Sequence, residues 1–149
     1  MSGMTDVFWG RWISLLYRYG LIFVAKELEP YNIGKGQFMF LLALYKRDGM
    51  LQEEVATLFN IDKGTTARAI SKLEKAGYVI RKPNVQDLRS NHVFLTQQGM
   101  DFKPRLYAIL QRWTDILSTG MTAEETEKAL DLLTKMSRNA TMHIHKERQ

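Results

Sequence analysis

Lys63, Thr65, Thr66, Arg68 and Lys72 are spaced so that a helix would bring most of them to one side. At 100° per residue, Thr65, Arg68 and Lys72 point within about 60° of one another, and Ala67, Ile70 and Leu73 cluster opposite. Two cations and a hydroxyl on one face suit a polyanion. The major groove of duplex DNA admits one helix, and Arg and Lys reach guanine O6 and N7 or the flanking phosphates. Thr65 and Thr66, at the helix start, suit a phosphate oxygen or a thymine methyl. Lys63 lies where a helix N-terminus already favours an anion. Further along, Arg81, Lys82, Arg89 and Ser90 extend the candidate DNA-binding set. An arginine near a hairpin tip can enter a minor groove, whose negative potential attracts guanidinium. Asp87, two residues before Arg89, can pin that guanidinium through a charge-assisted bond.

The charge distribution points to the same segment. The 149-residue chain carries a net +5 at pH 7 with His neutral. Residues 1–62 sum to −1 and residues 91–149 to +1, so residues 63–90 hold the whole excess, +5. A diffuse basic bias decides nothing about partners, whereas a confined patch marks a surface.

Other chemistry finds little support. The chain has no cysteine, which removes disulfide scaffolds, Cys-ligated zinc and thiol nucleophiles together. The three histidines are His92, His143 and His145; on a helix the last two diverge by about 200°, so they cannot chelate one ion there. No metal site and no cofactor are expected. A Gly-rich phosphate loop, a nucleophile elbow and a His-Glu-x-x-His spacing are all missing. The pairs Glu53-Glu54 and Glu124-Glu125 begin helices, where carboxylates complement the dipole. The expectation is a protein that is not an enzyme. The N-terminus lacks the pattern of a signal peptide and no apolar run reaches the roughly 20 residues of a membrane span, so the reading is soluble and cytoplasmic.

Helices must position the basic patch. A first helix is expected over residues 5–29, ending before Pro30. It is apolar nearly all round, so part of its surface should meet a second subunit. Further helices are expected over 35–47, 52–59 and 63–76. Between the last two, Asn60 suits a left-handed closing position, Ile61 can tuck inward and Asp62 is a strong N-cap. That outline is a helix-turn-helix. Residues 78–82 and 91–95 read as paired strands, with 83–90 as a projecting polar tip. Thr96 caps a long helix to about Thr119, bent by Pro104 and ended by Gly120. A last helix opens with the capping box Thr122 to Glu125 and should fray near His143. Phe8, Trp9, Trp12, Tyr17, Tyr31, Phe38, Phe40 and Tyr107, with Arg11 or Arg18, could line a ligand pocket, although such aromatics more often fill cores and interfaces.

Residues 51–99 resemble the winged-helix core of the MarR family of transcriptional regulators. The matching stretches are Leu51-Gln52-Glu53-Glu54-Val55-Ala56, the run from Asp62 to Ile70, and Leu73-Glu74-Lys75-Ala76-Gly77-Tyr78-Val79-Ile80-Arg81. The most discriminating are Asp87-Leu88-Arg89-Ser90 and Leu95-Thr96-Gln97-Gln98-Gly99. The resemblance implies a mainly α fold with a small β-wing, a winged helix-turn-helix over 35–99 between dimerisation helices at 1–34 and 100–149. It implies a homodimer on double-stranded DNA, with a recognition helix in the major groove, a wing in the minor groove and Asp87 as the orienter of Arg89. It also implies a repressor, often released by a small-molecule effector bound where the dimer region meets the winged helix. The effector pocket has no assigned residues. Other readings of the residues are a winged-helix protein-interaction module and a non-specific architectural DNA-binding protein.

Overall fold

The computed structural model describes residues 8–147. Helix α1 covers Trp9–Leu28; its expected start at Thr5 lies outside the described residues. Pro30 ends it as anticipated. The chain makes one 3-10 turn, Glu29–Tyr31, and Asn32 reverses it at φ 59°. Val24 and Leu28 are buried, while Trp9, Trp12, Ile13 and Leu16 remain exposed.

Helix α2 spans Phe38–Lys46, shorter than the 35–47 expected. The difference lies in Gln37. Its Oε1 accepts from the Gly34 N–H and its own N–H donates to the Gly34 carbonyl, both at 3.1 Å, closing a turn where the helix was expected to begin. Asp48-Gly49 ends α2, with Gly49 at φ 76°. Helix α3, Gln52–Phe59, closes at Asn60 in the left-handed region, φ 53°. The Ile61 N–H then donates to the Ala56 carbonyl, the wrap-around bond of a left-handed helix end, and the Ile61 side chain packs on the core.

Helix α4, Lys63–Lys75, starts at Asp62, whose Oδ1 accepts from the Thr65 N–H at 2.7 Å. Its buried stripe is Thr66, Ala69, Ile70 and Leu73. The stripe keeps Ile70 and Leu73 of the Ala67-Ile70-Leu73 reading but takes Thr66 and Ala69 in place of Ala67, which is half-buried. After Gly77, at φ 93°, come strands β1, Val79–Asn84, and β2, Asp87–Leu95, paired antiparallel from Val79 opposite Leu95 to Pro83 opposite Asn91. The strands are longer than 78–82 and 91–95, and the tip is correspondingly small. Asn84 already faces Asp87, so Leu88, Arg89 and Ser90 bulge from the longer strand. A pairing with no local signal adds to β2: the Gly49 N–H donates to the Val93 carbonyl, and the Val93 N–H to the Met50 carbonyl.

Thr96 caps a helix, but not one continuous helix. Helix α5, Gln97–Asp101, stops at Phe102, and α6 restarts over Lys103–Leu117. Pro104 lacks an N–H and its ring clashes with a carbonyl one turn back, so the chain breaks here rather than merely bending. Phe102 is buried against the rings of Tyr31 and Tyr78. Helix α7, Ala123–Glu147, begins with the expected box: Glu125 N–H donates to Thr122 Oγ1, and Thr122 N–H to Glu125 Oε1. It runs past His143, where fraying was expected, with His143 and Glu147 one turn apart and 3.2 Å from each other.

The chain divides into two compact units between Trp113 and Thr114. The core of the first unit centres on Phe40, Leu41, Leu44, Val55, Ile70, Leu73, Val79, Val93 and Leu106. The second unit has exposed apolar positions at Leu130, Leu133 and Met142. Among the described residues, no helix is long and apolar enough to cross a membrane.

Candidate nucleic-acid interface

Burying Thr66, Ala69, Ile70 and Leu73 obliges α4 to turn Lys63, Thr65, Arg68 and Lys72 outward, and all four are exposed. Gly64, Ser71 and Lys75 share the exposed surface. The N-terminal end is organised around Asp62. Its two oxygens take the Thr65 N–H and hydroxyl, each at 2.7 Å. Those two bonds, followed by the nearby Arg68 charge, hold the Asp62 carboxyl below the usual carboxylate range. Arg68 also donates to Thr65 Oγ1 at 3.2 Å, so Asp62, Thr65 and Arg68 form one chain. A side chain at Gly64 would meet Arg68 Nη1 at 3.3 Å. The glycine therefore leaves room for the guanidinium to lie along the first turn.

Two expected contacts are not on this face. Thr66 is fully buried, and its hydroxyl donates to the Asp62 carbonyl at 2.9 Å. It braces the helix start from inside. Arg81 is also withdrawn, with its side chain 19% exposed. Nε donates to Gln52 Oε1 at 2.9 Å, and Nη2 to the Ala67 carbonyl at 2.7 Å and Ser71 Oγ at 3.0 Å. Nη1 pairs with Glu74 at 3.3 Å. Arg81 thus ties β1 to α3 and α4, and its donors are directed into the protein. Gln52 and Glu74, its acceptors, were not singled out in the sequence, because nothing local links positions so far apart.

The wing is braced in the same manner. Arg89 reaches Asp87 through its backbone N–H and Nε, both 3.1 Å from Oδ1, and through Nη2, 3.4 Å from Oδ2. The Arg89 side chain is nevertheless 92% exposed. Its side-chain bond, then its backbone bond, hold the Asp87 carboxyl below the ordinary range. The Ser90 hydroxyl donates to the Asp87 carbonyl at 3.1 Å and accepts from Asn84 Nδ2 at 3.3 Å. Ser90 therefore ties the bulge together, and its proton is not left for a phosphate. Lys82 is exposed, with Nζ 5.2 Å from the centre of the Phe94 ring. His92 Nδ1 lies 2.8 Å from the Gly49 carbonyl, securing the base of the wing.

The aromatic residues do not gather into one pocket. Phe40 is buried edge-on against Phe59, and Tyr107 lies beside Tyr45. Trp9, Trp12 and Tyr17 are exposed on α1. Arg11 lies over Trp12 and Arg18 bonds Ser14. Of the expected pocket residues, Tyr31 does line a cleft of about 650 Å³ in the first unit, with Glu27, Pro104, Arg105, Ile109 and Arg112. Arg105 donates to the Tyr31 hydroxyl at 2.6 Å, and Arg112 pairs with Glu27.

Comparison with known proteins extends the resemblance. The profile of the MarR family matches residues 33–90. The chain is 31% identical over 113 residues to the uncharacterised HTH-type transcriptional regulator YybA of Bacillus subtilis, covering 76% of this chain and 75% of that one. The crystal structure of a MarR transcriptional regulator from Methanosarcina mazei Go1 superposes with TM-score 0.86 at 44% identity, over 88% of this chain and 94% of that one. A MarR family regulator from Listeria monocytogenes, solved in complex with a 26mer DNA, superposes with TM-score 0.80 at 26% identity, over 98% of this chain and 96% of that one.

Proposed function

Because the chain belongs to the MarR family of transcriptional regulators, we propose that it is a cytoplasmic, homodimeric, sequence-specific DNA-binding repressor that a small ligand releases. The observation that carries this reading is the exposed face of Lys63, Thr65, Arg68 and Lys72 on α4, followed by the 92% exposed Arg89 on the wing. Both lie in the one segment that holds the chain's net charge. In this reading α4 enters the major groove, where Arg68 reaches a base edge and Lys63 and Lys72 meet phosphates. The wing carries Arg89 into the adjacent minor groove, where a narrow A·T tract concentrates negative potential. Asp87 aims the guanidinium and does not itself face the duplex.

A second copy would cover apolar surface that one chain leaves open. Trp12, Ile13 and Leu16 are exposed on α1. The second unit has a groove of about 670 Å³ lined by Leu117, Met121, Leu130 and Leu133. A groove that gathers apolar side chains in one exposed place suits a protein–protein contact. Two-fold symmetry then sets a pseudo-palindromic operator with half-sites about 10 base pairs apart. The cleft beside Tyr31, Arg105 and Arg112 supports the release step, since a small ligand there would disturb bonds joining the end of α1 to α6.

Titrating the protein against salt on duplexes recovered by selection from a random pool tests the DNA reading. Affinity should fall steeply, with a log–log slope of about −0.9 for each neutralised phosphate. Binding to a protein partner that salt leaves unchanged, with no duplex affinity, would favour the interaction-module reading instead.

A further inference from the structure

The tip of the wing carries apolar side chains that nothing in the protein covers. Leu88 is 77% exposed and Val85 is 90% exposed. Isolated exposed apolar residues are common and need no explanation, but Leu88 sits on a feature built to project it. The register slips between Pro83 and Asn84, so Leu88, Arg89 and Ser90 bulge from β2 with no residues of β1 opposite them. The bulge is tied on both sides, by Ser90 to the Asp87 carbonyl and by Asn84 to Ser90. Asp87 and Arg89 are joined to each other, leaving Leu88 as the unbonded side chain between them. The leucine thus has no route inward. Its immediate neighbour is the exposed guanidinium assigned above to the minor groove.

We propose that Leu88, flanked by Val85, is an apolar minor-groove contact that selects A·T over G·C where the wing meets DNA. This rests on the DNA-binding reading and adds a specificity determinant to it. The occupant follows from continuity with the basic surface: Leu88 directly precedes Arg89 on the same projecting bulge. Minor-groove walls are deoxyribose C–H groups, which an apolar side chain can cover. On the floor, an A·T pair offers acceptors only, and G·C adds the guanine N2 amino group. A leucine over that amino group would strip it of water and return no acceptor, a cost an A·T pair avoids. Leucine is among the side chains that minor-groove proteins place against base steps. Arg89 supplies the charge, and Leu88 supplies the penalty against guanine.

The test uses a duplex recovered by selection with the full chain, in which flanking A·T pairs are replaced by G·C or by inosine·C, which lacks the amino group. The wild type should bind the G·C flank about tenfold more weakly, and inosine·C should restore affinity. Leu88→Thr should lose about tenfold on the A·T duplex and most of its flank preference, with the salt slope unchanged. Leu88→Met, which keeps the apolar surface, should retain both. Arg89→Ala should instead lower the slope by about one. Unchanged affinity and preference in Leu88→Thr would overturn the proposal while leaving the DNA reading intact. A reduced salt slope in Leu88→Thr would also overturn it, since the substitution would then act through Arg89. Failure of the wild type to bind any duplex would remove the DNA reading and this contact with it.

Discussion

At Arg81 one guanidinium joins Gln52 on α3 to Ala67, Ser71 and Glu74 on α4. Charge alone would put it on the DNA; burial and bonding make it an internal brace. Arg81→Ala leaves several acceptors short of a donor and should cost about 1–3 kcal/mol of folding stability in denaturant titration. The salt slope of DNA binding should not change, whereas a phosphate contact would lower it by about one. The exposed cations should behave differently. Arg68→Ala should cost about 1–3 kcal/mol of binding and relax specificity at one base pair. Arg89→Ala should weaken binding with less loss of discrimination. Anisotropy titrations over a set of operator variants separate the two patterns. Asp62 adds a pH signature. Its folded carboxyl sits below the ordinary value because it accepts from Thr65, so its stabilising contribution is complete above the unfolded value of about 3.9. The contribution disappears as the pH falls through the lower folded value. Thermal melts of wild type and Asp62→Ala should therefore differ at pH 7, and the difference should narrow once the pH falls below about 3.9.

At the scale of elements, the boundaries readable in the sequence were those set by local backbone chemistry. Asn60 ends α3 in the left-handed region and Asp62 caps α4. Thr96 caps α5, and Thr122 with Glu125 opens α7. Each signal lies within four residues of its effect. Features that failed to show depend on partners distant in the chain. The Arg81 brace spans 29 residues to Gln52, and the pairing of Gly49 and Met50 with Val93 crosses from the end of α2 to β2. Thr66 reads in the sequence as a phosphate or thymine-methyl contact at the helix start, yet the core stripe of α4 includes it and takes it inside. Pro104 gave a bend in the sequence and a full break in the fold, because Phe102 is held by Tyr31 and Tyr78. Gly99 shows how closely these elements meet. It follows β2 in the first turns of α5, and a Cβ there would be driven into the Tyr78 carbonyl. Tyr45 also donates its hydroxyl to the Gly99 carbonyl at 2.7 Å. Gly99→Ala should therefore destabilise the winged helix by about 1–3 kcal/mol in denaturant unfolding. Gly64→Ala has only a side-chain tip to displace and should cost less stability.

At the scale of the whole molecule, a net +5 spread evenly would attract any polyanion weakly. Here it is concentrated in α4, β1 and the wing, with the rest of the chain close to neutral. Apolar surface remains open on α1 and in the groove lined by Leu117 and Leu130, which is where a second copy would be needed. On the proposed reading of one recognition helix per chain and two chains per complex, symmetry of the target is the central claim. It is tested most directly by exposing the full-length protein to a random pool of duplexes and sequencing those retained at physiological salt. The account predicts enrichment of a pseudo-palindrome whose half-sites are about 10 base pairs apart centre to centre, with A·T pairs in the flanks under the wings. Retention without sequence enrichment, or enrichment of a single asymmetric half-site, would contradict it.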